Sequence, residues 1–272
     1  MLRIDDLDGA RCKPQYLAQQ LQDLTWFGIA WDNDAADGAY HQSRRKHYYE
    51  AAWRCLFEQG HLYPSPHSRK DVERCLSAPH AGEGEVVFPT ELRPYYVQDQ
   101  SCVGLGSRAH LPADLCQAVA PGKVNWRFRV PDGRAVTFTD TNCGPQRFIA
   151  GTDFGDFLVW RADDMASYEL AVVVDDLDMG VTEVVRGEDL LLSTARQLLL
   201  MEVLLLQRDV RDGGGDNSST SKKVPTYFHC PLVMDKDGMR MAKRCASTTL
   251  QSLREESGLM PSNIKEMYSL PM

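Results

Sequence analysis

The chain has 272 residues, of which 43% are hydrophobic and 25% charged, and a formal net charge of -8; that is enough for one large packed domain or two small ones. An acidic chain does not coat nucleic acid non-specifically, although a local basic patch can still read one RNA. The longest apolar run, Leu198 to Leu206, is broken by Glu202 and is too short to cross a bilayer, so no membrane partner is expected.

From the start, Leu2-Arg3-Ile4 has strand character and runs into the carboxylates Asp5, Asp6 and Asp8. Helical spacing follows over 15–30, with Tyr16, Leu17, Leu21, Leu24 and Phe27, and again over 42–60, with Tyr49, Ala52, Trp53, Leu56 and Phe57 on one side and Gly60 at the end. From Tyr63 to Pro145 the periodicity gives way to Pro and Gly, and Trp126 to Val130 alternates as a strand. "RAVTFTD" comes after Pro131-Asp132-Gly133, so the two segments predict a hairpin. Leu158-Val159-Trp160 is a short strand. Ala171 to Val174 is a continuous apolar run ending at Asp175-Asp176, as in a buried parallel strand, and Thr182 to Val185 predicts another in the same sheet. Thr194 and Gln197 have the spacing of a capping box ahead of the helix "ARQLLLMEVLLLQ". "RDGGGDNSSTSKK" is a solvated loop, and the turn "DKDG" and "MRMAKR" come after Tyr227.

The order is α/β, then a mixed stretch, then α/β again. It predicts a doubly wound, Rossmann-like parallel sheet over 1–62 and 146–232, interrupted by an inserted α+β module over 63–145. In such sheets ligands sit at the carboxyl ends of strands. Asp5/Asp6/Asp8, Asp175/Asp176 and Arg186/Glu188/Asp189 all read as such ends. Each carboxylate group is either a solvated turn or a site for an ammonium or a ribose, and the residues alone leave both open. Arg186, beside the apolar Val184-Val185, calls for an anion, whether a neighbouring Asp or a ligand carboxylate. The eight cysteines form no CxxC pair, and neither a Ser/His/Asp arrangement, an HExxH motif nor a P-loop is present.

"RIDDLDGAR", "YHQSRR", "YELAVVVDD", "GVTEVVRGEDLLLSTARQ", "HCPLV" and "GMRMAKR" resemble, in that order and over roughly 1–250, the class I glutamyl-tRNA synthetases. They look closest to the short branch of that family, the glutamyl-Q tRNA(Asp) synthetases. The resemblance implies a Rossmann-like catalytic core and, over 233–272, a KMSKS-like loop and a helical stub. It also implies a strand and helix with a HIGH-type signature ahead of "RIDDLDGAR", a segment of roughly 30–40 residues that this sequence does not contain. The expectations are an N-terminally incomplete sheet, an unpaired edge at Leu2-Arg3-Ile4 and impaired catalysis.

The activity implied is ATP-dependent activation of glutamate, with Mg2+, and transfer to tRNA, at the queuosine of tRNA(Asp) in the short branch. The alternatives are a non-catalytic tRNA- or glutamate-binding remnant and a fragment of a full-length glutamyl-tRNA synthetase. No covalent enzyme nucleophile is needed, so catalysis rests on positioning and charge stabilisation. By resemblance Asp5 takes the place of the glutamate that holds the substrate ammonium, one methylene shorter. Tyr168 and Arg186 match the residues that hold the substrate carboxylate. Arg240, Met241, Ala242, Lys243 and Arg244 match the ATP signature loop, with Lys243 and Arg240 as its catalytic cations. Glu169 stands where a neutral amide is usual. Ser65, His67, Phe88 and Leu92 fall where the short branch often carries zinc ligands, and one histidine cannot make that site, so zinc is not expected. A monomer is expected, cytoplasmic by default and organellar if the true start lies upstream.

Overall fold

The structure is a computed structural model and describes residues 1–9, 11–34, 37–67, 71–72, 87–98, 120–211, 224–232, 249–255 and 257–267. The chain forms two compact units, one made of Met1–Arg45 with Leu232–Met272 and the other of Lys46–Pro231.

The larger unit opens with helix α2 (Lys46–Glu58), which buries Tyr49, Ala52, Trp53, Leu56 and Phe57, the face expected from the sequence. Gly60, at φ 77°, turns the chain out of it, and its N–H donates to Phe57 O. Strand β1 (Leu62–Ser65) then enters a four-stranded antiparallel sheet of order β1-β2-β5-β6, with β2 at Asn125–Phe128, β5 at Phe157–Arg161 and β6 at Met165–Ala166. Trp53 stacks on Phe57 at 5.0 Å between ring centroids, and both meet the edge of Trp126, so α2 and this sheet share an aromatic core.

The second sheet has the order β4-β3-β8-β7, with β3 at Ala135–Asp140, β4 at Gly144–Ile149, β7 at Glu183–Gly187 and β8 at Thr226–Cys230. β3 and β4 are antiparallel, whereas β8 runs parallel to both β3 and β7. The expected hairpin between Trp126–Val130 and "RAVTFTD" is therefore corrected. The Pro131–Arg134 turn forms, but β2 and β3 belong to different sheets, and β3 takes β4 as its hairpin partner.

The expected strand Ala171–Val174 is also corrected, because it lies in helix α4 (Tyr168–Met179), which comes after the short α3 (Tyr95–Gln98). Ser167 caps the start, its Oγ accepting from Leu170 N, and Gly180 ends it at φ 68° in the left-handed region. Every residue from Leu170 to Leu177 is buried, so the helix has no polar face and its apolar run carries no 3.6-residue period. Asp175 and Asp176 are accordingly not a strand exit; Asp175 is fully buried and accepts from Tyr49 Oη at 3.0 and 3.1 Å. Helix α5 (Leu191–Arg211) begins before Thr194, which sits in its first turn and donates back to Leu190 O rather than capping.

In the smaller unit helix α1 (Pro14–Trp26) packs on α6 (Leu250–Glu255), with Arg254 Nη1 2.9 Å from Asp23 Oδ1 and its guanidinium 5.7 Å from the Trp26 ring centroid. Leu2-Arg3-Ile4 forms no strand and is not an unpaired edge. Ile4 N donates to Tyr40 O, Ile4 O accepts from Gln42 N, and Asn33 bonds both backbone groups of Leu2. Among the described residues, no helix is long and apolar enough to cross a membrane.

Candidate active site

Parallel pairing of β7 and β8 sets Arg186 directly across from His229. Arg186 is half-buried. Its Nε donates to His229 Nε2 at 3.2 Å, its Nη2 donates to Thr194 Oγ1 at 2.7 Å, and its guanidinium lies 5.9 Å from the Tyr227 ring centroid. Among the described residues Arg186 makes no ion pair. Behind it, the fully buried His229 places Nδ1 2.6 Å from Asp140 Oδ2. Burial pushes the Asp140 carboxyl up, but the Cys143 N–H, the His229 ring and the N–H groups of His229 and Asn142 together hold it well below the usual carboxylate range. Burial pushes the Tyr227 phenol up to about 12, with Arg186 opposing, so Tyr227 stays neutral beneath the guanidinium.

The start of α4 lies within electrostatic reach of Arg186 through Glu169. Tyr168, the first helical residue, is 44% exposed. Glu169, next to it, takes a bond from Gln197 Nε2 at 2.7 Å and lies 3.8 Å from Arg196 Nη1. Burial raises the Glu169 carboxyl, while the cations Arg196 and Arg186 and bonds from Gln197 and Ser193 oppose it. Tyr168 and Arg186 belong to one unit. The arrangement leaves a guanidinium backed by uncharged acceptors, a group whose fork matches a carboxylate.

Asp5 belongs to the smaller unit, where Arg3 Nε donates to its carboxylate at 2.7 Å. Asp6 is a structural anchor, accepting from Ser43 N at 2.9 Å and Ser43 Oγ at 2.8 Å and facing His41 Nδ1 at 3.2 Å. Burial opposes ionisation of Asp6, but the Ser43 and His41 bonds keep its carboxyl below the ordinary value. The signature loop Arg240, Met241, Ala242, Lys243 and Arg244, and the "DKDG" turn before it, lie outside the described residues.

Residues 1–212 match the family model of the tRNA synthetases class I (E and Q), catalytic domain. The chain belongs to this family. A glutamyl-Q tRNA(Asp) synthetase of Symbiobacterium thermophilum is 38% identical over 97% of the chain and 73% of the relative. A glutamate–tRNA ligase of Methylococcus capsulatus is 35% identical over 99% of the chain and 52% of the relative. Among solved structures, a glutamate tRNA ligase from Elizabethkingia meningosepticum in complex with its amino acid superimposes with a TM-score of 0.62 at 23% identity. That match covers 89% of the chain, which spans 45% of the solved ligase.

In this class I synthetase chain the positions matching zinc ligands do not fit the metal. Arg127 lies among them: Nε donates to Ser65 Oγ at 3.2 Å, Nη2 to His67 O at 3.5 Å, and the guanidinium sits 4.1 Å from the Phe88 ring centroid. A guanidinium there repels a divalent cation while satisfying the same chain segments. Among the described residues no group of three His, Cys, Asp or Glu is placed to hold a metal. Asp140, Thr194 and His229 were not expected at the cleft from the sequence. The available signal was the strand "TYFHC", whose period of two puts His229 on the same side as Tyr227.

Proposed function

We propose that this class I synthetase chain activates glutamate with ATP and passes the glutamyl group to tRNA, with the queuosine of tRNA(Asp) as acceptor. A glutamate carboxylate oxygen attacks the α-phosphorus, forming glutamyl-adenylate and releasing pyrophosphate. An RNA hydroxyl then attacks the acyl carbon and AMP leaves. Mg2+ enters on the triphosphate as part of the substrate. In this reading Arg186 and Tyr168 receive the substrate carboxylate, Asp5 the ammonium, and Lys243 and Arg240 the phosphates. An ammonium at Asp5 displaces Arg3 from the carboxylate. The setting is the cytoplasm.

The observation that carries the reading is Arg186 itself: a half-buried guanidinium whose partners among the described residues, His229 and Thr194, are neutral. Such a charge is available to an anion and matches a carboxylate bidentately. The test is calorimetric binding of a non-hydrolysable glutamyl-adenylate analogue to the parent chain and to Arg186→Ala, with glutamate-dependent ATP–pyrophosphate exchange for the activation step. The expected loss on truncation is about 2–5 kcal/mol. An analogue bound equally by both proteins rules Arg186 out of the site.

A further inference from the structure

An arginine side chain turns about several bonds and is fixed only where its nitrogens meet held acceptors. Arg186 meets two, His229 Nε2 and Thr194 Oγ1. A histidine nitrogen accepts only when it carries no proton, and the opposite nitrogen decides which one that is. His229 Nδ1 lies 2.6 Å from a carboxylate oxygen of Asp140, and an ionised carboxylate can only accept. Nδ1 is therefore the N–H, and Nε2 presents its lone pair to the Arg186 Nε–H. Asp140 is held in turn by backbone donors, Asn142 N at 3.0 Å, Cys143 N at 2.7 Å and His229 N at 3.1 Å. The far end of the relay is backbone, which rotamer changes do not move.

We propose that Asp140 and His229 are positioning residues, which aim the Arg186 guanidinium at its anion without touching that anion themselves. This rests on the reading of Arg186 as the carboxylate-binding group. The choice of a neutral imidazole follows from the charge at stake. A carboxylate in its place would fix the guanidinium equally well but would neutralise it and compete with the ligand. Thr194 meets the same requirement, since its hydroxyl accepts from Arg186 and donates its single proton to Leu190 O at 3.3 Å.

Two amides separate the functions of the two ring nitrogens. His229→Gln carries an acceptor close to the position of Nε2, and His229→Asn carries a donor close to that of Nδ1. A role confined to packing against Asp140 favours the asparagine; aiming Arg186 favours the glutamine. Titration of the glutamyl-adenylate analogue and of ATP alone into each protein reads the difference. His229→Asn is expected to weaken the analogue on the order of tenfold, leave ATP unchanged, and be rescued in His229→Gln. Equal binding by the asparagine variant and the parent, or asparagine outperforming glutamine, overturns the proposal. Arg186→Ala separates the two failures: if it too binds the analogue as tightly as the parent, the reading of Arg186 has failed rather than the relay. The parent protein alone supplies a variant-free measurement. The ring 15N resonances of His229 must show the Nδ1–H tautomer, and the Arg186 Nε–H must be protected from exchange with solvent. An Nε2–H tautomer at neutral pH overturns the proposal.

Discussion

Glu169 lies within electrostatic reach of Arg186. Its buried carboxyl, raised by burial, takes a bond from Gln197 and lies within the influence of Arg186; when ionised it lowers the positive potential around that guanidinium. Glu169→Gln removes that charge and keeps an acceptor for Gln197. The expected outcome is several-fold tighter binding of the glutamyl-adenylate analogue, with a flatter dependence on salt; unchanged affinity at low and high salt counts against it. His61 gives a residue-scale prediction about pH. It stacks on Phe128 at 5.4 Å, and burial lowers its pKa from 6.5 to about 4, with Glu202 opposing. The fold thus disfavours the charged imidazole. Stability is full above the unfolded value, falls as pH drops from 6.5 toward 4, and levels off below, a difference of about 3 kcal/mol. Urea unfolding across that window should show the loss in the parent and little of it in His61→Phe. Equal slopes in both place the pH dependence elsewhere. Neither residue announced its role in the sequence. Glu169 stood out only as a departure from a family pattern, and His61 was one of several dispersed histidines whose burial depends on β2.

The elements show where local pattern suffices and where it fails. Helix α2 was legible because one face is buried and the other solvated, so Tyr49, Ala52, Trp53, Leu56 and Phe57 recur at helical spacing. Helix α4 was not, because neighbours surround it and a run of β-branched residues in a fully buried helix has the same appearance as a buried strand. The antiparallel sheet was half legible. Alternation marked β2, but the Pro-Asp-Gly turn misassigned its partner, because a turn fixes a reversal and not which sheet the next strand joins. One glycine governs how the 87–93 segment seats on this sheet. A Cβ at Gly155 would stand 2.4 Å from Phe88 N and 3.0 Å from Phe88 O, so the close approach admits no side chain. The segment holds Phe88 against Arg127, and Arg93 against Asp156 and Asp132, with Arg93 Nε 2.7 Å from Asp156 Oδ2. Gly155→Ala is expected to cost about 1–3 kcal/mol in chemical denaturation, because backbone must shift and the Arg93 bonds with it. A thermal and urea stability equal to that of the parent would show the segment seats some other way.

At the scale of the whole molecule, family membership was legible while much of the topology was not. Long motifs in fixed order survive sequence divergence because each carries several side chains that must meet at one place. Which strand pairs with which is decided by contacts far apart in the chain. Arg186 was singled out through its motif. His229 and Asp140 required the sheet order, since they come from strands well before and after it. Both sheets, the aromatic core and the Arg186 relay lie within Lys46–Pro231. This segment, expressed alone, is expected to unfold cooperatively in urea and to retain the protected Arg186 Nε–H. A broad, non-cooperative transition would mean that it depends on the rest of the chain for its fold.

The strand order also bears on how the protein is assembled in time. β8 is the last strand of its sheet in the chain, yet it lies between β3 and β7, both of which precede it. Until it inserts, two strand edges stand open, and pairing them closes long loops, the slow part of folding. The same insertion delivers His229 between Asp140 and Arg186. Arg186 therefore gains its orientation only when β8 docks, and a chain without that strand in place cannot complete the Asp140–His229–Arg186 relay. Until β8 docks, the open edges of β3 and β7 are templates on which another chain could pair.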